Sequence, residues 1–298
     1  MKMKKIPSVL FCAFFLFLAP FSSAENVSIK FSLNQNSIGE SDPHTWIQSF
    51  NSLWQDWASS KGGQITGQFE PISFGLNFEV ELRVRLIAGL SLHFGASHFS
   101  DSKEGEIQYQ NAAGTQNESH FILNSIKAYP IKIGLSYSVT IPKVPRLHAA
   151  VNIGRRILIV SYKTKENYQA FFTSGGREWE YWYEKENSFN SEALGFYTSL
   201  GIEYDILKHI ALSLEAEKTW SKVDGFKGPY TYQDYEGIND SGKASLYFYE
   251  SDQWGLGQTY SVLYGHETKP EESYIKNIRQ GELNFGGLAI KFGIRFKF

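Results

Sequence analysis

Apolar and polar residues alternate with period two along eight stretches of this chain, and the last stretch shows the pattern most cleanly. Leu288, Ile290, Phe292, Ile294, Phe296 and Phe298 occupy one set of positions, and Ala289, Lys291, Gly293, Arg295 and Lys297 the other. Successive side chains of a strand point to opposite faces, so this is a strand with one apolar and one cationic face. Earlier stretches repeat the pattern. Val27, Ile29, Phe31 and Leu33 oppose Ser28, Lys30, Ser32 and Asn34, and Ile72 to Leu82 oppose Ser73 to Glu81. Ala88 to Ala96 alternate with Gly89 to Ser97, and Ile131 to Tyr137 with Lys132 to Ser138. Leu147 to Ile153, Leu194 to Tyr204 and Ile210 to Ala216 complete the set.

The connections alternate as well. Short links fall near 83–86, 139–146 and 205–209, and long ones span about 35–66, 100–118, 163–192 and 227–280. Short turns on one side and long loops on the other are the asymmetry of a transmembrane barrel. The pattern predicts an all-β fold: an eight-stranded antiparallel up-and-down transmembrane β-barrel with long extracellular loops and a short helix in the first loop. A soluble sandwich or lipocalin-like barrel carries the same periodicity with the apolar face turned inward. Three features favour the membrane. The polar faces are rich in Gly and Ser, the chain ends on the final strand at Phe298, and Tyr and Phe collect at strand ends. Residues 243–250 and 257–264 have the pattern of a further hairpin, which leaves a ten-stranded ring as the alternative count.

The N-terminus adds a compartment. Lys2, Lys4 and Lys5 precede the apolar run Val9–Ala19, and Ser22-Ser23-Ala24 offers small residues for cleavage before Glu25. This is the layout of a secretory signal, too short to cross a bilayer as a stable helix. We therefore expect a signal peptide at 1–24 and a barrel domain at 25–298. The single Cys, Cys12, lies within the apolar run, so cleavage leaves no disulfide. The whole chain carries 29 basic and 31 acidic residues, a net charge of −2. Losing three lysines makes that −5. Nothing in this balance suggests nucleic acid.

The closing strand also carries a resemblance. A polar residue, then Gly two positions on, then apolar residues three and five positions beyond it, with an aromatic last, is the terminal assembly signal of outer-membrane barrels. Lys291, Gly293, Phe296 and Phe298 fit it. Over its strands, though not its loops, the chain resembles the small outer-membrane barrels related to OmpX and the membrane domain of OmpA. The resemblance implies a bacterial outer-membrane location, recognition by the barrel-assembly machinery, and lipid or lipopolysaccharide as neighbours of a monomer. It implies no activity, since fold does not carry function.

The inward faces hold the acids Glu79, Glu81, Glu203, Glu215 and Glu217 and the bases Lys30, Lys132, Lys291 and Arg295. An eight-stranded barrel has room for side chains and little else, so enclosed charges must pair. A salt-bridge network that plugs the lumen is the expectation, and a narrow porin-like path for ions or small solutes is the alternative.

The loops are where binding is expected. Trp46, Phe50, Leu53, Trp54 and Trp57 recur at helical spacing, with Asp42 as N-cap, Pro43 in the first turn and Gly62-Gly63 at the end. Such a helix caps the mouth, lies in the lipid interface or docks a partner. Trp179 and Trp182 sit in an aromatic hairpin around Gly175-Gly176, and Trp254 sits in the long last loop. These six tryptophans are candidate contacts for an extracellular carbohydrate or protein, a surface-binding or adhesion role.

No enzyme is expected. The best catalytic pair, His98 with Ser100, lacks a third member, and the remaining histidines show no metal-ligand spacing. No cofactor or metal is expected either. A lipid hydrolase or protease of the outer membrane is the least favoured reading.

Overall fold

The computed structural model describes residues 27–37, 41–72 and 74–298. The segment read as a signal peptide lies outside the described residues. In chain order come β1 (Val27–Ser37), α1 (Asp42–Lys61), β2 (Gly63–Gln68), β3 (Phe74–Ile87), β4 (Leu90–Asn111) and β5 (Gln116–Thr140). Then follow β6 (Leu147–Ser174), β7 (Arg177–Leu207), β8 (Ile210–Trp220), β9 (Lys222–Val223) and β10 (Lys227–Asp234). Last are β11 (Asn239–Ser251), β12 (Tyr260–His266), β13 (Ile275–Gln280), β14 (Leu283–Asn284) and β15 (Gly287–Lys297).

Eight strands close a ring of antiparallel pairs in the order β1, β3, β4, β5, β6, β7, β8, β15 and back to β1. Closure removes every unpaired strand edge at that level, which a lipid environment demands. The outer face of the ring is an apolar belt, including Phe31, Leu33, Ile133, Ile153, Leu200 and Phe292, all exposed. On β5 the belt runs from Tyr129 to Val139, roughly 34 Å along the strand at about 3.4 Å per step. A tilt of about 40° brings this to about 26 Å, near the ~25 Å band of a membrane barrel. The two stretches left open as ninth and tenth strands pair as β11 and β12, and neither belongs to the ring.

β4 to β7 do not stop at the top of the belt. The expected loops at 100–118 and 163–192 are regular ladder: β4 pairs β5 out to Gln110↔Asn117, and β6 pairs β7 out to Ser174↔Arg177. Above the belt the neighbours change. β2 takes the place of β3 beside β4, and β10 takes the place of β8 beside β7. β11 and β12 extend this sheet beyond β10.

Helix α1 packs between the two sheet ends, against β2 and β12. The Asn51 side chain donates to the Phe69 carbonyl and accepts from its N–H, both at 2.9 Å. On the other side Ser49 Oγ accepts from the Ser261 N–H at 2.7 Å, and Asp56 accepts from the Tyr260 hydroxyl at 2.8 Å. The helix is thus a wall element covering two edges. At twenty residues it is longer than a short loop helix. Its N-cap is Ser41, without a side-chain capping bond, rather than Asp42. Asp42 is occupied elsewhere: it accepts from both terminal nitrogens of Arg279 at 2.6 Å and from the Glu282 N–H at 2.6 Å. Gly62, at φ 66°, ends the helix as expected.

Candidate functional site

The ring's inward faces hold two different fillings, one above the other. In the lower half the strand alternation sends Lys30, Glu79, Glu81, Lys132, Glu203, Glu215, Glu217, Lys291 and Arg295 into the lumen, all buried. They form two groups. Lys132 donates to Glu79 at 2.7 Å and to Glu217 at 2.6 Å, and Lys291 reaches the same two carboxylates. Lys30 bridges Glu81 at 3.2 Å and Glu215 at 2.7 Å, while Arg295 bridges Glu81 at 3.1 Å and Glu203 at 2.9 Å.

Two cations absent from the sequence reading join them. Arg83 sits 3.2 Å from Glu81 and 3.3 Å from Glu203. The alternation places it in a short link near 83–86, but β3 runs on to Ile87. Arg156 is buried in the same lumen, just past Ile153, where the polar–apolar alternation of the sequence ends. Asn152 links Ser199 at 2.7 Å to Glu215 at 3.3 Å.

Gly134 and Gly154 face each other across β5 and β6. A Cβ on either would lie 2.5 or 2.6 Å from the Tyr197 hydroxyl, so only glycine leaves room for that ring beside the strands. Tyr197 in turn hydrogen-bonds His93. Gly293 of the closing strand meets a similar limit, since a Cβ there would sit 2.8 Å from Ser213 Oγ. Phe296 and Phe298, the apolar members of the same terminal pattern, point outward on the belt. Lys291, its polar member, points inward.

The upper half is filled differently. Phe99, Ile107, Ile122, Leu158, Tyr162 and Phe189 continue the same inward faces as an apolar core. Trp46, Ile47 and Trp54 of α1 and Leu246 and Leu263 of the last loop join it. Within this half lies a cavity of about 540 Å³, lined by α1, by the upper ends of β5 to β7, and by β11, β12 and the loops beside them. Trp46, Trp54, Trp57 and Trp254 line it together with Tyr168, Tyr181, Tyr183, Tyr249 and Tyr264. Trp46 and Trp54 are only 4% and 6% exposed, fixed in the wall rather than projecting from it. Trp179 and Trp182 are not among the lining residues; Trp179, 59% exposed, sits near the tip of the β6–β7 hairpin.

The cavity's polar residues are Glu118, His120, Glu166, Gln253, His266 and Glu272. His120 is surrounded by rings, with Phe50 at 5.2 Å, Tyr168 at 5.6 Å and Trp54 at 6.0 Å between centroids. Burial there holds its imidazole down to about 3, so it is neutral. Glu118 accepts from the Tyr168 hydroxyl at 2.6 Å. Glu166 is 6% exposed, and burial pushes its carboxyl up despite Lys185 nearby. Lys185 pairs with it across β6 and β7 but places its ammonium over the Tyr264 ring, 2.9 Å from the centroid. Burial brings Lys185 down to about 8.

None of this was legible as a site, because the lining comes from seven separated segments. The sequence signals were the tryptophan stripe of α1 and Trp254 of the last loop. His98 and Ser100 face outward; the His98 ring packs on Tyr129 at 5.0 Å, and no hydrogen bond joins the pair among the described residues. Nor, among the described residues, does any group of three or more His, Cys, Asp or Glu stand ready to hold a metal ion.

No family model matches the chain, and no curated protein matches it. Among solved structures it is similar to the outer membrane protein OprG from Pseudomonas aeruginosa, at 9% identity and a TM-score of 0.39, covering 92% of this chain and 96% of that one. It is also similar to Neisserial surface protein A, at 11% identity and a TM-score of 0.34, covering 91% and 97%. A third is a major outer membrane protein from Thermus thermophilus, at 10% identity and a TM-score of 0.37, covering 91% and 99%. At these values the likenesses say nothing of activity. The closed ring and its lipid-facing belt make this chain an eight-stranded membrane β-barrel.

Proposed function

We propose that the chain is an outer-membrane binding protein in which the lower barrel is a plugged anchor and the aromatic cavity above the belt is the ligand site. The observation that carries this reading is the stacking itself. A roomy cavity walled by a helix and strands sits on a lumen filled with paired charges. Largely preformed concave sites lined by aromatic groups with a few convergent polar ones are the usual form of small-ligand pockets.

The export segment and the terminal pattern of Lys291, Gly293, Phe296 and Phe298 support the outer membrane and its assembly machinery as the route. Lys127 and Lys163, exposed just above the belt on neighbouring strands, suit the phosphates of outer-leaflet lipid. The reading assigns no catalysis and a monomer.

Thiol labelling on intact cells tests it, because the chain without its N-terminal segment has no Cys. Val262→Cys places a thiol on the cavity wall, and Ser213→Cys places one in the lumen. A small membrane-impermeant maleimide should label the first and not the second. Labelling of Ser213→Cys from outside would favour the porin-like path, and no labelling of Val262→Cys would remove the cavity as an extracellular site.

A further inference from the structure

The charge of the cavity lining is one-sided. Glu118, Glu166 and Glu272 line it, and neither Lys nor Arg does. Both lining histidines are pushed towards the neutral form by burial. We propose that the cavity takes an organic cation, an ammonium carrying apolar substituents, held between aromatic faces and the Glu166 carboxylate. This rests on the reading that the cavity is the ligand site.

Glu166 carries the proposal. Among the described residues it makes no hydrogen bond and no ion pair within 4.0 Å, although it is more than nine-tenths buried and lines the cavity. A buried carboxylate without a partner is costly. Its cross-strand neighbour Lys185 relieves it only in part, because that ammonium rests on Tyr264 and makes no ion pair with the carboxylate. A ligand ammonium would supply the missing charge.

The surrounding rings supply the second half of the recognition. Trp and Tyr faces attract a cation through their quadrupoles, with a larger effect where water is excluded. Lys185 over Tyr264 already shows one ring of this lining holding an ammonium. A free anion would meet three carboxylates, and a neutral sugar would leave Glu166 without a counter-charge.

Refolded full-length barrel is titrated with benzyltrimethylammonium and with choline, following tryptophan fluorescence, since Trp46, Trp54, Trp57 and Trp254 line the site. 3,3-Dimethylbutan-1-ol, the neutral isostere of choline, and maltose are the controls. Saturable binding of a cation is expected, with the isostere at least tenfold weaker than choline. Glu166→Gln should weaken cation binding at least tenfold and leave the isostere unchanged. Val262→Lys, a fixed ammonium in the cavity, should have the same effect on cations. Equal binding of choline and its isostere, an unaffected Glu166→Gln variant, or no saturable cation binding would each overturn the proposal. Maltose binding without cation binding would overturn the cation and keep the cavity as a ligand site. Failure of Val262→Cys to label, in the accessibility experiment above, would remove the site itself.

Discussion

The lower and upper halves of this barrel share four strands and use them in opposite senses. On β6 the outward residues Val151, Ile153, Ile157 and Ile159 are exposed apolar side chains, while Asn152 and Arg156 are buried inside. A few residues further along the same strand, Leu158, Val160 and Tyr162 are buried inside and Lys163 faces out. The backbone alternation never breaks; the chemistry assigned to each face does. Lipid outside selects apolar residues and leaves the polar ones to pair in the lumen. Water outside reverses the choice, and the hydrophobic effect then fills the interior. The phase change along one strand therefore marks the membrane boundary.

The halves also differ in how they are held. The lower lumen is bound by charge pairs that must all be satisfied. The upper lumen buries aliphatic and aromatic groups, each contributing about 1.5–3 kcal/mol when fully removed from water. That contrast orders the expected effects of damage. The largest should come from Arg295→Ala, which takes from Glu203 and Glu81 one of the two guanidinium groups they share, leaving only Arg83 between them. A loss on the order of 3–5 kcal/mol is expected in the urea unfolding of refolded barrel. An unchanged midpoint would mean that the lower half is not held by its charges.

Acid should act on the other half first. His120 is held neutral down to about 3 in the fold, against 6.5 unperturbed. Below about pH 6.5 the unfolded chain gains a proton that the folded one refuses, so stability falls from there towards pH 3, by a few kcal/mol in total. Near-ultraviolet dichroism of the tryptophans should report this loss while heat-modifiable migration of the lower barrel persists. His120→Phe should remove the larger part of the acid dependence, His266, also lowered by burial, supplying the rest; a variant as acid-labile as the parent would place the cause elsewhere.

Glu166→Gln should move stability the opposite way. Its folded carboxyl is raised, so ionisation at neutral pH works against the fold, and that cost grows as pH rises above the usual carboxylate range. The amide should raise the thermal midpoint of the upper half at pH 7. A lower midpoint would show that the carboxylate is stabilised by its surroundings.

Phe298→Ala is the smallest expected change in vitro. The side chain is 56% exposed on the belt, so its loss should cost about 1–2 kcal/mol in the refolded protein. Outer-membrane yield in cells should fall far more if the residue is read during assembly. Normal yield would remove that role.

How much could be read from the sequence follows from the same comparison. The ring strands and nine lumenal charges were legible, because apolar-out and polar-in alternate where lipid lies outside, with Arg155 over the Phe196 ring as an outward exception. Legibility failed at the boundary. In Ile157-Leu158-Ile159-Val160 both faces are apolar, one for lipid and one for the upper core, so the period vanishes and Arg156 just before it was lost with the strand. Arg83 was missed for a different reason: it falls in the short link placed near 83–86, where β3 in fact continues to Ile87. The tryptophans of α1 announced a helix, but its part in the wall depends on β2 and β12, which come together only in the fold. Glu166 looked like one charge among many in a polar stretch. Its burial comes from strands far away in sequence.

The central claim is that charges seal the lower barrel beneath the upper cavity. Single-channel recording of the refolded full-length protein in a planar bilayer tests it most directly. The account predicts no steady open-channel current at moderate voltage. Stable, large unitary steps would contradict it and show that the lumen conducts.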